Sequence, residues 1–196
     1  MAKKILILGN GFDIDLGLKT RYSDFANSEI WGNLIENIYY FDSDLLGALY
    51  DAKTKEAWFD IEKTMNDYVR SIKPDRLVEK IITKDEDTFI KVSEALLKYL
   101  KREQDVGTLK TDSYAAEVLR LIVNVGDFDY YTFNYTNLVK IANSCDVPID
   151  ASRITHVHGS LENESIILGI LTDPQKPIHE QYSFMYKDNS RFYMSN

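Results

Sequence analysis

The sequence predicts an α/β fold: a three-layer, Rossmann-like parallel sheet with a large helical insertion after its first strand–helix unit. Two observations lead to this prediction. Near the start, a short apolar run at residues 5–8 ends at a glycine turn, which is typical of a buried strand in a helix-covered parallel sheet. Similar β-type runs return only late in the chain, after a long segment whose apolar residues recur at helical spacing.

The first strand is expected at residues 5–8. This run is apolar at every position, which predicts a strand buried on both faces. Gly9 ends the run, and the residues from Phe12 to Leu18 favour a helix whose first N–H groups would face the turn.

The middle of the chain, about residues 27–125, is predicted to be a block of helices. Breaks are expected at Lys73-Pro74-Asp75 and at Val106-Gly107-Thr108. We expect the apolar stripes of these helices to pack into the core. The three stripes are Trp58, Ile61, Met65, Tyr68 and Ile72; Phe89, Val92, Leu96 and Leu100; and Tyr114, Val118, Leu121, Ile122 and Val125.

Three late runs, at residues 130–133, 154–158 and 165–170, are rich in β-branched or aromatic residues and bounded by polar residues or glycine. We expect these strands to join the first in one parallel sheet. The prediction is therefore a single α/β domain over residues 1–196, with a helical insertion at about 27–125.

Composition restricts the class of protein. The 23 basic and 31 acidic residues give a formal charge of −8, which disfavours binding to nucleic acid or to an anionic membrane surface. Cys145 is the only cysteine, so no internal disulfide can form, as is usual in a reducing compartment. No apolar stretch is long enough for a signal peptide or a membrane span. We therefore expect a cytoplasmic protein without a membrane partner.

The turn after the first strand is the first candidate site. Gly9 and Gly11 allow a tight turn and a close approach of backbone to a ligand, which suits a nucleotide. The full dinucleotide fingerprint is absent, because Ile14 stands where its third glycine belongs. Asp13 would repel a pyrophosphate there and suits helix capping or ribose binding better. A tight strand-to-helix turn without a ligand is the alternative.

Polar residues follow the strand at 130–133. Thr136 or Asn137 is a natural N-cap for the helical pattern that comes next. Capping does not account for Asn134, which is expected at the carboxyl end of the strand, where ligands bind in open α/β sheets.

Two histidines end the strand at 154–158. His156 and His158 are two residues apart, so a strand would direct both to one face, as in a two-ligand metal site. No spacing supports a third ligand from His179 or Asp173, and we expect no metal. His156 is interpreted as a structural histidine. His158, next to Gly159, is the better candidate for a general base, because histidine exchanges protons near neutral pH.

These motifs together resemble the AbiH family of phage abortive-infection proteins. The resemblance covers most of the chain in the same order. It rests on Gly9-Asn10-Gly11-Phe12-Asp13, Gly17-Leu18, Thr20, Tyr22, Asp24-Phe25, Trp58, Asp60, Glu62, Phe133-Asn134-Tyr135-Thr136-Asn137, His156-Val157-His158-Gly159 and Ile167-Leu168-Gly169.

AbiH proteins are in turn similar to the sirtuin superfamily, which implies a sirtuin-like sheet and an NAD ligand. The glycines at 9, 11 and 17 resemble the sirtuin-like first loop, Thr132-Phe133-Asn134 its Thr-x-Asn strand end, and His158-Gly159 its His-Gly strand end. The resemblance implies that Asn134 orders the ribose or the attacking water and that His158 is the base. The ligand-binding residues expected are Gly9, Asn10, Gly11, Phe12, Asp13, Gly17, Thr136, Gly159 and Ser160.

Three departures qualify that similarity. With Cys145 alone the chain cannot build the four-cysteine zinc module of sirtuin deacylases. Thr136 stands where the sirtuin-like pattern has an acid. Related sequences continue beyond the point where this chain stops, at Asn196, into a strand and a glycine-rich loop. The resemblance therefore implies either a truncated chain or a short member with an incomplete site.

Three functions stay open. The leading hypothesis is a phage-defence NAD hydrolase that cleaves the N-glycosidic bond. The main alternative is a module that senses NAD or ADP-ribose without cleaving it, and the third is metal-dependent hydrolysis through His156 and His158. Exposed parts of the helical block leave a homo-oligomer open.

Overall fold

The computed structural model describes residues 4–38, 43–55, 59–106, 108–171, 173, 175 and 177–187. The chain divides into two compact units. The first comprises residues 1–21 and 97–166, and the second comprises residues 22–96 and 167–196. The single domain expected from the sequence stays a prediction.

The regular elements of the described residues follow the predicted order of one strand, a helical block and then further strands. The strands are Lys4–Leu8 (β1), Phe128–Thr132 (β2), Ile154–His156 (β3), Gly159–Ser160 (β4) and Ser165–Ile166 (β5). The α-helices are Asn10–Asp15 (α1), Tyr22–Ala26 (α2), Glu29–Ile38 (α3), Asp44–Lys55 (α4), Ile61–Ser71 (α5), Glu79–Val106 (α6), Tyr114–Val125 (α7) and Leu138–Ser144 (α8). Short 3-10 helices span Pro74–Arg76, Ala151–Arg153 and Glu180–Met185.

A three-stranded parallel sheet forms the centre of the first unit, in the order β1–β2–β3. Leu8, the last residue of β1, pairs with Thr132, which pairs with His156. The carboxyl ends of the three strands therefore lie side by side. The mixed α/β class and the parallel pairing of the first, second and third strands are as the sequence predicts.

One face of β1 is open to solvent, so the prediction that this strand is buried on both faces is wrong. Leu6 and Leu8 pack with Tyr130 and other apolar residues. Because strand side chains alternate, Ile5 and Ile7 point to the other face, and they are 54% and 67% exposed. A continuous apolar run shows that both faces can be covered. It does not show that a covering layer is present.

The core-facing side of α7 also differs from the prediction. Ala115, Ala116 and Leu119 are buried in a cluster with Leu16 and Ile141. The larger residues expected to face the core are exposed instead: Tyr114, Val118, Leu121 and Val125. The helix is held in this rotation at its start, where the carboxylate of Asp15 accepts a 2.7 Å hydrogen bond from the backbone N–H of Ala115.

The last predicted strand does not join the parallel sheet. β5 is two residues long and pairs antiparallel with β4, with Gly159 opposite Ile166. Ile170, the end of the predicted run, makes an isolated parallel bridge to Tyr186 in the second unit. Gly169, at φ +150°, explains the break, because its Cα lies so close to the Met185 carbonyl that a Cβ would be 2.4 Å from the oxygen.

The second unit is built mainly from helices. Its α5 begins at Ile61 with Asp60 as N-cap, a start that the sequence did not predict, and the stripes of α5 and α6 are largely buried. Trp58, expected on the first of these stripes, lies outside the described residues, as do residues 192–196. A partly buried ion pair joins the buried Lys187 to the half-buried Glu62, with Nζ 2.8 Å from each carboxylate oxygen. None of the helices in the described segments is long and apolar enough to cross a bilayer.

Candidate functional site at the carboxyl edge of the sheet

The glycine turn leads directly into a short helix. Gly9 is the N-cap of α1, which covers Asn10–Asp15 rather than the predicted residues 12–18. Gly17 ends it at φ +90°, with its N–H bonded to the Ile14 carbonyl and the Leu18 N–H bonded to the Asp13 carbonyl. These two bonds form a Schellman motif, which requires a left-handed residue where Gly17 stands. Gly17 therefore has a structural role, and its predicted ligand contact stays a prediction.

Gly9 and Gly11 face open space. Both are exposed, neither has a positive φ, and a Cβ added to either would meet nothing within 4 Å. Gly11 lies inside α1, where glycine costs about 0.5–1 kcal/mol relative to alanine. Neither the turn nor the packing thus requires glycine at these two positions.

Asn10 and Phe12, the other residues of the predicted loop, differ in their surroundings. Asn10 is exposed and pairs with Thr20: its Oδ1 accepts from the threonine hydroxyl at 2.5 Å, and its Nδ2 donates to the Thr20 carbonyl at 3.3 Å. Phe12 is half-buried and packs against the apolar clusters on both sides of α1. The two residues tie the turn to the body of the unit.

Asp13 is buried, with 1% of its surface exposed, and each of its carboxylate oxygens accepts a hydrogen bond. It accepts hydrogen bonds from Asn134 Nδ2 at 2.7 Å and from the Thr136 hydroxyl at 2.8 Å. Asp13 lies inside α1 and does not cap it, so the capping interpretation is wrong. Burial raises the pKa of Asp13 to about 6, although the two hydrogen bonds oppose that rise.

Asn134 joins the turn after β1 to the turn after β2. Its Nδ2 donates to the Gly9 carbonyl at 3.0 Å as well as to Asp13, and its backbone N–H donates to Thr132 Oγ1. Only 6% of Asn134 is exposed. Two loops 125 residues apart in sequence are thus held together by one amide.

The capping prediction that follows Asn134 is confirmed for Asn137. Asn137 is the N-cap of α8, with its Oδ1 accepting from the Lys140 N–H. Thr136 is buried and bonds to Asp13 instead.

The two histidines have different environments. β3 ends at His156, so His158 lies beyond the strand rather than two residues along it as predicted. His156 Nδ1 is 3.1 Å from the Asn134 carbonyl, which can only accept, so Nδ1 carries a proton. This contact fits the structural role expected for His156, which stays a prediction. The half-buried His158 ring lies edge to face with Phe133, at 5.3 Å and 82°, and tilted against Tyr135, at 6.5 Å.

Gly159 and Ser160 form β4, and the β4–β5 pair requires the glycine. Gly159 has φ +83°, and a Cβ there would lie 2.2 Å from the backbone oxygen of Ser165. The close approach that this glycine allows is therefore to β5. Ser160 is buried, and its hydroxyl accepts a 3.3 Å bond from the Asn163 N–H. Their proposed ligand contacts stay predictions.

The strand-end motifs converge on Asn134. Its side chain contacts Gly9 and Asp13 from the first turn, its carbonyl contacts His156, and its neighbours Phe133 and Tyr135 contact His158. Phe133 and Tyr135 were missed as candidates because aromatic residues after a strand usually belong to the core. Phe133 is revealed by the exposure of its ring, and that exposure cannot be read from the sequence.

The second unit holds a polar cluster that sequence reasoning also missed. The carboxylate of Asp85 is fully buried and accepts from the Ser43 hydroxyl, the Leu45 N–H and the hydroxyls of Tyr68 and Tyr182, at 2.5 to 3.1 Å. Burial and this carboxylate raise the pKa of both tyrosines. Asp85 lies four residues before Phe89, in line with the buried stripe of α6. An acidic residue in line with an apolar stripe is the sequence signal that could have revealed this cluster.

Two clefts, of about 570 and 460 Å³, also belong to the second unit. The larger is lined by Tyr68 and Tyr182 together with Arg76, which pairs with Asp44 at 2.5 Å. Neither cleft includes a residue of the strand-end site. Within the described segments, no group of three His, Cys, Asp or Glu residues is arranged to hold a metal ion.

Comparison with known proteins agrees with the motifs read along the chain. No curated protein and no solved structure matches the chain significantly, so the similarity to sirtuins has no structural counterpart. A family model, described as bacteriophage abortive infection AbiH, matches residues 5–195. The chain therefore belongs to the AbiH family of bacteriophage abortive-infection proteins.

Proposed function

We propose that the strand-end site binds NAD or a related nucleotide, and that the protein cleaves its N-glycosidic bond during abortive infection. The AbiH family indicates a role in abortive infection. The ligand and the reaction are the proposal. Its support comes from the carboxyl edge of the parallel sheet, which is where open α/β sheets bind their ligands.

The observation that carries the proposal is the open space over Gly9 and Gly11. Neither position has a left-handed backbone, and no neighbouring atom lies within 4 Å of an added Cβ. A ligand that approaches the backbone closely is a reason to keep both glycines where the fold does not need them. Since α1 has only six residues, we assign the close approach to the sugar and do not assign a phosphate to the helix end.

His158 is the group proposed to handle the proton. The bond between C1′ of the ribose and the nicotinamide nitrogen breaks, and its electron pair leaves with the ring, which becomes neutral nicotinamide. Water forms the new bond to C1′, and its proton passes to His158. The products are nicotinamide, ADP-ribose and one proton. Polar groups that orient the oxocarbenium-like ribose supply most of the stabilisation of the transition state in such a reaction.

Asp13 acts in this account as a positioning residue. Its carboxylate is buried and bound to Asn134 and Thr136, so it holds the two turns together rather than reaching the ligand. Both described side-chain contacts of Asn134 use Nδ2. Asn134 Oδ1 is therefore the atom we assign to a ribose hydroxyl or to the attacking water.

A sensor that holds the nucleotide intact is the second candidate. The observation that favours it is the pair of hydrogen bonds that Asn134 Nδ2 donates to Gly9 and Asp13. These bonds use both N–H hydrogens of the amide, so Nδ2 cannot donate to a ligand as well. Thr136, in place of an acid, favours it as well. In this case the ligand would bind at the same turns, and His158 would contact it without removing a proton.

Nicotinamide release from NAD tests the proposal. We expect the full-length chain to release nicotinamide and ADP-ribose in equal amounts, and His158→Ala to lower the rate by 10²-fold or more, about the contribution of a general base. His179→Ala is the matched control, because this exposed histidine belongs to the second unit. It should retain the wild-type rate.

The outcomes separate the candidates. Release that depends on His158 but not on His179 supports hydrolysis. Binding of NAD without release, with phage-infected extract present as activator, supports the sensor. A chain that neither binds nor cleaves NAD, ADP-ribose or nicotinamide mononucleotide would overturn both.

A further inference from the structure

Phe133 is fixed at the strand-end site by its backbone. It is the first residue after β2, and its N–H donates a 2.9 Å hydrogen bond to the carbonyl of Leu8, the last residue of β1. Its ring therefore starts from the point where the two strands end, beside the turn that begins at Gly9.

The ring of Phe133 is directed outward although both neighbours are buried. Thr132 and Asn134 are 2% and 6% exposed, whereas Phe133 is 44% exposed. Single exposed apolar residues are common on proteins. Here, however, the exposed residue is a phenylalanine placed between two residues that build the candidate site, and in the described segments no other phenylalanine is exposed to this degree.

The neighbours of Phe133 hold its orientation. The His158 ring stands edge to face with it at 5.3 Å and 82°, and Tyr135 lies on the same histidine. In an edge-to-face pair, at least one face of each ring is uncovered by the other. The ring is thus held by His158, and 44% of Phe133 stays exposed beside that contact.

We infer that Phe133 is the stacking surface for the planar heteroaromatic ring of the nucleotide. The inference rests on the proposed function, and it adds a specificity-determining residue to the site. Aromatic rings stack on bases and pyridinium rings through their π faces, whichever base is present. Phe133 selects ligands that carry a ring over sugar phosphates that lack one.

Calorimetric titration of wild-type protein and variants tests the inference. The probes are NAD, ADP-ribose, nicotinamide mononucleotide and ribose 5-phosphate. Phe133→Ala should weaken binding of the stacked ligands by about 5- to 150-fold, the usual effect of losing one stacking interaction, and leave ribose 5-phosphate unchanged. Phe133→Leu should weaken binding similarly, because it keeps apolar volume without a flat ring, whereas Phe133→Trp should retain binding.

Tyr114→Ala is the matched control, since Tyr114 is an exposed aromatic residue of the same unit on α7. Loss of affinity for ADP-ribose would identify adenine as the stacked ring, and loss for nicotinamide mononucleotide would identify nicotinamide. Wild-type affinity of Phe133→Ala and Phe133→Leu for all three nucleotides would overturn the inference and leave the proposed function standing. No binding of any nucleotide by the wild type would overturn both.

Discussion

Asn134 Nδ2 donates a 2.7 Å hydrogen bond to the buried carboxylate of Asp13, across 121 residues of sequence. The same nitrogen reaches the Gly9 carbonyl. The turn after β1 and the turn after β2 are therefore positioned by one another, and the shape of the candidate site depends on this pair.

The pair makes stability depend on pH. In the folded chain the pKa of Asp13 is raised to about 6, whereas an unfolded aspartate releases its proton near 3.8. Between these values the folded state binds more protons, so the free energy of unfolding falls as the pH rises. The contribution of this group should fall by about 2 kcal/mol between pH 4 and pH 7 and level off above.

Urea unfolding of wild type and Asp13→Asn at several pH values measures this contribution as a difference. Asparagine stays neutral, accepts from Asn134 and donates to Thr136, so it imitates the protonated acid. Asp112→Asn, at an exposed position, is the control and should follow the wild type. An Asp13→Asn difference that does not change with pH would show that the carboxylate is not perturbed.

Removing the Asn134 side chain should destabilise the fold. Asn134→Ala leaves the buried Asp13 Oδ1 without its donor, whereas the Gly9 carbonyl keeps the hydrogen bond from the Phe12 N–H. The loss should cost about 1–3 kcal/mol. Asn163→Ala, at an exposed asparagine, should change the free energy of unfolding by less than about 0.5 kcal/mol. Equal effects of the two variants would contradict the role given to Asn134.

Glycine-to-alanine substitutions should distinguish a glycine that the fold requires from one that serves ligand binding, by their effects on the free energy of unfolding. Gly159→Ala should cost at least about 2 kcal/mol, because of the positive φ and the Ser165 carbonyl. Gly11→Ala, in an open helical position, should raise the free energy of unfolding by up to about 1 kcal/mol. Thermal unfolding of both variants measures this.

Gly47→Ala, at a second open helical glycine in α4, is the control for Gly11→Ala. Both should stabilise, and only Gly11→Ala should weaken nucleotide binding. Destabilisation by Gly11→Ala would mean that the fold itself requires this glycine.

The open face of β1 predicts an asymmetry between adjacent residues. Ile7→Lys should change the free energy of unfolding by about 0.5 kcal/mol or less, because Ile7 is exposed. Leu8→Ala should cost about 2–4 kcal/mol, since Leu8 is buried. Urea titrations give both numbers. A large cost at Ile7 would show that this face is covered in solution.

The sequence predicts the parallel strands well because their signals are local. The run at 5–8 ended by Gly9, the strand that ends at Thr132 and the one that begins at Ile154 carry β-type residues and polar ends, and their order along the chain favours a parallel sheet. The helix from Tyr114 to Val125 was also predictable from its spacing.

Burial was less predictable, because it depends on what packs against an element. On α7 the core contacts come from Ala115 and Ala116, which bring the helix close, and not from the larger Leu121. The run ending at Ile170 appeared to be one strand, but its pairing changes between β5 and the bridge to Tyr186. Such outcomes are set by distant segments.

The candidate site was predictable as a set of residues and not as a network. Asn134 and Asp13 were separate candidates, each with a ligand role. Their hydrogen bond could not be inferred, because it depends on how the turn after β1 and the turn after β2 are placed in space relative to each other. The roles of Gly17 and Gly159 likewise follow from backbone angles and from Ser165, which no motif contains.

Chemical-shift mapping of the backbone amides during an NAD titration tests the central claim most directly. The account predicts that the largest changes occur at Gly9, Gly11, Phe133, Asn134 and His158, with little change around Tyr68 and Arg76 in the larger cleft. Changes confined to that cleft, or no changes at NAD concentrations in the millimolar range of cellular metabolites, would contradict a nucleotide site at the carboxyl edge of the sheet.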